Sequence, residues 1–100
     1  MPPLPKATVV GALTGKLGFV PGQGDRHEWY VRESQGQVAG KTHLSKGRRP
    51  VSDFELTAMA RELCVTGPTF RGAISCTVNT DEFLERMRQG LDARRQSFGH

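Results

Sequence analysis

Residues 37–56 read QVAGKTHLSKGRRPVSDFEL, and the fold turns on them. Over Gln37–Ser45, Val38, Gly40, Thr42 and Leu44 alternate with Gln37, Ala39, Lys41 and His43. Alternation at period two predicts a strand with one buried and one polar face. Lys46, Arg48 and Arg49 follow without an acid among them. Then the register changes. Ser52 stands three residues before Glu55, and Val51 and Leu56 flank them, which predicts a capping box with a hydrophobic staple. Leu56, Met59, Ala60 and Leu63 continue at helical spacing. Strand, cationic loop and amphipathic helix in succession point to an α+β domain in which the helix packs on a sheet.

The same grammar extends to both sides. Trp29, Tyr30 and Val31 predict a strand over His27–Arg32, and Glu33-Ser34-Gln35-Gly36 has the length of a hairpin connection. Trp29 and Tyr30 face opposite ways, one to the core and the other outward; which is which stays open. Upstream, Val9, Val10, Leu13 and Leu17 predict a short helix over Lys6–Lys16, weakened by Gly11 and Gly15 and stopped at Gly18. Leu17, Phe19 and Val20 lead into a first strand, and Pro21–Asp25 is a turn. Met1–Pro5 is proline-rich and expected to be disordered. Downstream, Gly67-Pro68 is expected to end the second helix, with a helical turn over Thr69–Cys76. Asn79 and Glu82 form a second capping box, stapled by Val78 and Phe83. Phe83, Leu84, Met87 and Leu91 make the stripe of a last helix, with fraying expected over Asp92–His100.

One hundred residues make one domain with one modest core. Mean hydropathy is −0.47, on the polar side. Net charge is +4 and the isoelectric point about 9.6, which favours an anionic partner: nucleic acid, an acidic protein or an anionic surface. Two cysteines, Cys64 and Cys76, make no disulfide framework and read as buried free thiols in a reducing compartment. No apolar run is long enough to cross a membrane, and MPPLPK lacks the apolar centre of a signal peptide. The expected setting is cytoplasmic. The three histidines lack metal-ligand spacing and the cysteines are not paired as Cys-x-x-Cys, so neither metal nor cofactor is expected. Oligomeric state is not legible.

Element order and several short motifs resemble the HicA family, small toxin ribonucleases of bacterial toxin–antitoxin modules. The motifs are Leu17-Gly18-Phe19 at the end of the first helix, His27 at the start of the next long strand, and Lys41-Thr42-His43-Leu44-Ser45-Lys46-Gly47. Ser52-Asp53, Met59-Ala60-Arg61, Leu63 and Cys76-Thr77 are similar to a longer variant with an extra C-terminal helix. The likeness runs over about residues 6 to 88. The family's Gly-Ser before the histidine is Asp25-Arg26 here, with glycines earlier at Gly22 and Gly24. The resemblance implies a double-stranded-RNA-binding-like α-β-β-β-α domain over residues 6–66 and a helical extension over 67–91. The sheet would be three-stranded and antiparallel with helices on one face. The resemblance also implies RNA as substrate, an antitoxin protein as partner, and His27 as the catalytic group of a metal-independent ribonuclease.

Read from its residues alone, His27 is more simply a strand residue that touches phosphate or solvent. Arg26, Lys41, His43, Lys46, Arg48 and Arg49 are the candidate RNA contacts. The last three precede a helix N-terminus, which can itself attract phosphate. A-form RNA is recognised chiefly by shape, phosphates and 2′-hydroxyls, so no base-reading motif is required. Arg26, Lys41 and His43 are the candidates for positive charge or the second proton beside His27; His43, on the polar face with Lys41, reads first as a phosphate contact, and His100 carries no expected role. Three functions stay open: an RNA-cleaving toxin, a non-catalytic RNA-binding module, and a domain whose basic face docks an acidic protein.

Overall fold

The computed structural model describes residues 3–24 and 26–98. Helix α1 (Lys6–Gly11) runs into a π-helical turn (Ala12–Lys16). Strands β1 (Val20–Pro21), β2 (His27–Ser34) and β3 (Gln37–Ser45) follow, then α2 (Asp53–Glu62), α3 (Gly67–Ser75) and α4 (Thr80–Phe98). The strands form one antiparallel sheet in the order β1-β2-β3, covered by helices on one face. The expected α+β architecture is therefore the observed one.

The hairpin between β2 and β3 sets the frame. Gln35 and Gly36 both take positive φ, 54° and 77°, the geometry of a two-residue turn whose twist matches its strands. Register then pairs Tyr30 with Thr42, Glu28 with Leu44 and Arg32 with Gly40. These six share the covered face. Tyr30, Thr42 and Leu44 are buried there, so Tyr30 is the core aromatic and Trp29 the outward one. Glu28 and Arg32 tie this face to the N-terminal helix: Glu28 pairs with Lys6, and Arg32 Nε donates to the Leu17 carbonyl at 3.2 Å.

One core joins all the helices. Val9, Leu13 and Leu17 from the first helical segment meet Leu56, Met59, Phe70, Phe83 and Met87. Each fully buried side chain of this size contributes about 1.5–3 kcal/mol. The C-terminal helices are thus part of the core, and Phe70 and Phe83 lie with ring centroids 6.2 Å apart. Helix α4 crosses β3 at Gly40, where an added Cβ would come within 2.8 Å of Met87 Sδ.

Several local expectations change. Residues 1 and 2 of the proline-rich start lie outside the described residues. Leu4 does not belong to a loose tail: it exchanges backbone hydrogen bonds of 3.0 and 2.8 Å with Val51, closing a bridge over the chain just before Ser52. The first helix widens after Gly11, with Leu17 N–H reaching back five residues to Ala12 at 3.0 Å. Gly67-Pro68 opens α3 instead of closing α2. Thr66 caps it through Thr69 N–H at 3.3 Å, and proline is tolerated in the first turn, where its missing N–H has no helical partner. Helix α2 already ends at Glu62, and Cys64 turns the chain at φ 62°. Neither cysteine is buried: Cys64 is half-buried and Cys76 exposed. Helix α4 continues through Asp92 to Phe98, held by Arg88 on Asp92 and by Arg94 on the Arg61 carbonyl. Gly99 and His100 lie outside the described residues. Ser52 and Asn79 do cap their helices, through Glu55 N–H at 3.1 Å and Glu82 N–H at 2.7 Å.

Candidate nucleic-acid interface

Alternation along β2 and β3 turns His27, Trp29 and Val31, with Lys41 and His43, onto the face that carries no helix. Trp29 and His43 are direct register partners, with ring centroids 4.6 Å apart. His27 is two pairs further along, opposite Ser45, and its ring meets that of His43 edge-on at 4.6 Å. Lys41 Nζ stands 4.6 Å over the Trp29 ring. A cation over an indole face is favourable by about 0.5–1 kcal/mol at an exposed site. The face thus presents a row of imidazole, imidazole, indole and ammonium.

The loop after β1 steadies this row from the side. Gly22 N–H donates to the Trp29 carbonyl at 2.7 Å. A Cβ at Gly24 would fall 2.2 Å from Trp29 Cδ1, so only glycine permits this approach. Asp25 lies outside the described residues. Arg26 is exposed immediately before His27.

His43 has a partner that sequence reading did not supply. Its Nδ1 lies 2.8 Å from Glu62 Oε2, while the fully buried Thr42 hydroxyl donates to Glu62 Oε1 at 2.9 Å. Thr42 and His43 face opposite sides of β3, and β3 is an edge strand. Only a group lying at that edge can touch both, and Glu62, the last residue of α2, does so. A carboxylate accepts hydrogen bonds, so Nδ1 is the nitrogen that donates to Glu62 and, in the neutral ring, Nε2 is the acceptor nitrogen.

The cationic loop leaves β3 just beyond Ser45, the register partner of His27. Lys46, Arg48 and Arg49 are exposed. Lys6 anchors the loop, donating to the Ser45 carbonyl at 3.0 Å and the Gly47 carbonyl at 2.6 Å while pairing with Glu28. Lys6 was not among the expected site residues, because its role depends on a contact across the whole domain. Beside it, Ala7, Val10, Tyr30, Arg48 and Pro50 wall an apolar-sided cleft of about 580 Å³. Burial, the Glu28 charge and a hydrogen bond to Glu28 raise the Tyr30 hydroxyl above its ordinary range.

Phosphate capture at the α2 N-terminus does not fit this arrangement. Ser52 takes one of the open N–H groups, and Asp53 and Glu55 place acids in the first turn. Asp53 is itself paired with Arg71 at 2.7 Å. Of the expected contacts, the fold therefore brings His27, Lys41 and His43 together on one face. It sets Arg26, Lys46, Arg48 and Arg49 beyond the His27 end of the same hairpin.

Among the described residues, no three histidine, cysteine or acidic side chains converge as a metal site. No helix among them is long and apolar enough to cross a membrane. Comparison of the chain with protein-family models, curated proteins and solved structures returns no match.

Proposed function

We propose that this chain binds RNA on the open face of its sheet and cleaves it without a metal, in the manner of the HicA-like toxins its motifs resemble. The observation that carries the reading is the contact of two imidazoles, His27 and His43, beside the Lys41–Trp29 pair on a face without helices. In such a reaction the 2′-hydroxyl attacks the adjacent phosphorus, the bond to the 5′-oxygen breaks, and a 2′,3′-cyclic phosphate remains. One group takes the 2′-hydroxyl proton and another returns a proton to the leaving 5′-oxygen. His27 is assigned to this proton traffic. Lys41 and the loop cations Lys46, Arg48 and Arg49, with Arg26, neutralise phosphates along the strand. RNA as substrate implies a cytoplasmic setting, and the resemblance implies an antitoxin that would cover the same basic surface.

The test is incubation with RNA in the presence of a chelator. The parent protein is expected to yield cyclic-phosphate ends, and His27→Ala to slow this by about a hundredfold or more. Equal cleavage by His27→Ala overturns the assignment. A second reading, a binding module without chemistry, draws on Trp29, whose indole offers bases a stacking surface. RNA that binds the parent and stays intact selects that reading.

A further inference from the structure

The open face carries a second imidazole whose orientation is set from outside the strand. His43 Nδ1 meets Glu62 Oε2 at 2.8 Å, and the other oxygen of that carboxylate is held by the buried Thr42 hydroxyl. Both carboxylate oxygens are engaged, so Glu62 cannot turn away from the ring without stranding Thr42. With Nδ1–H held on Glu62, Nε2 is the nitrogen that exchanges a proton: it bears a lone pair in the neutral ring and an N–H in the protonated one. His27 meets this ring edge-on at 4.6 Å, close enough for one phosphodiester group to engage both imidazoles. Among the described residues, the other charged groups near His43 include Lys41 on its own strand and Glu62 from α2; Cys64 and Arg94 line a cleft with those two.

We propose that His43 is the second acid–base residue of the site and Glu62 its positioning residue. This rests on the RNA-cleavage reading above. His27 and His43 divide the two proton transfers: one accepts the 2′-hydroxyl proton as the O2′–P bond forms, and the other donates a proton as the P–O5′ bond breaks. Each ends with the other's starting charge, so no co-reactant is consumed. Imidazoles that merely touched phosphate would need no carboxylate behind one of them. Glu62 supplies what that role requires, a fixed tautomer and a fixed ring plane.

The experiment is the pH–rate profile of single-turnover RNA cleavage by the parent, His43→Gln and Glu62→Gln, with RNA affinity read in parallel from Trp29 fluorescence. The parent is expected to give a bell with two limbs. His43→Gln is expected to lose one limb and about a hundredfold or more in rate, with affinity changed only a few-fold. Glu62→Gln is expected to displace the limb that His43→Gln removes and leave the other in place. Both limbs and near-parental rate in His43→Gln would overturn the assignment while leaving the cleavage reading intact. A parent that cleaves no RNA would instead sink the cleavage reading, and this assignment with it. Nitrogen-15 spectra of the RNA-free protein give a check that needs no activity. Nδ1–H at His43 in the parent is expected, and an Nε2–H tautomer there would overturn the role given to Glu62.

Discussion

Gly90→Ala separates what local helix chemistry expects from what the packing dictates. Gly90 is in the middle of α4, where alanine is intrinsically better than glycine by about 1 kcal/mol. The structure opposes this. A Cβ at Gly90 would sit 1.9 Å from the Cys64 carbonyl oxygen, 2.9 Å from its Cβ and 3.0 Å from its carbonyl carbon. The obstacle is mostly backbone, so no side chain can swing aside. Overpacking costs about 1–3 kcal/mol, and a backbone contact this close belongs at the upper end. Subtracting the helical gain leaves a net loss of about 2 kcal/mol. For a domain of this size that lowers the melting temperature by roughly 10 °C. Gly11→Ala is the matched control: its φ and ψ are −61° and −39°, and nothing lies within 4 Å of an added Cβ. It is expected to stabilise by about 0.4–1 kcal/mol. Urea unfolding followed by Trp29, the single tryptophan, measures both. Gly90→Ala as stable as the parent, or Gly11→Ala equally damaged, would refute the close packing of α4 on the turn after Glu62.

Two further outcomes bear on the site. Replacing Lys46, Arg48 and Arg49 together by glutamine is expected to lower the slope of log affinity against log salt by roughly 2, at about 0.7 per phosphate contact on single-stranded RNA. An unchanged slope in filter binding would remove the loop from the interface. Tyr30, the single tyrosine, is expected to ionise with a midpoint above the ordinary value of 10.0, because burial first and Glu28 second disfavour its phenolate. The folded state then holds this proton more tightly than the unfolded one, so stability is intact below pH 10 and declines as pH rises through the folded midpoint. Phenolate absorbance against pH checks this, and an ordinary or lowered midpoint would contradict the burial of Tyr30 beside Glu28.

How far the fold was legible depended on how local its causes are. The alternation of β3 and the caps at Ser52 and Asn79 are written within a few residues; the caps appear where their patterns place them, and the alternation holds from Gly40 to Leu44, while Val38, beside the irregular register at Arg32/Glu33, is half exposed. Gly67-Pro68 carried two meanings, a stop or a start. The Thr66 hydroxyl on Thr69 N–H selects the start. Gly40 and Gly90 look like weaknesses in a strand and a helix, yet each admits a close neighbour from a distant part of the chain. The candidate site divides the same way. His27, Lys41 and His43 share a face because strands alternate, which a sequence displays. Glu62 stands 19 residues from His43 and reaches it only because α2 ends at the edge of β3, which a sequence does not display. Lys6, joined to Glu28 and the Ser45–Gly47 turn, was hidden for the same reason.

The central claim is that the open face of the sheet is the RNA surface. Titrating nitrogen-15-labelled protein with a short single-stranded RNA tests it most directly. The account predicts shifts concentrated at Arg26, His27, Trp29, Lys41, His43 and the loop of Lys46–Arg49, with the exposed sides of α3 and α4 unmoved. Shifts centred on those helices, or none at saturating RNA and low salt, would contradict it.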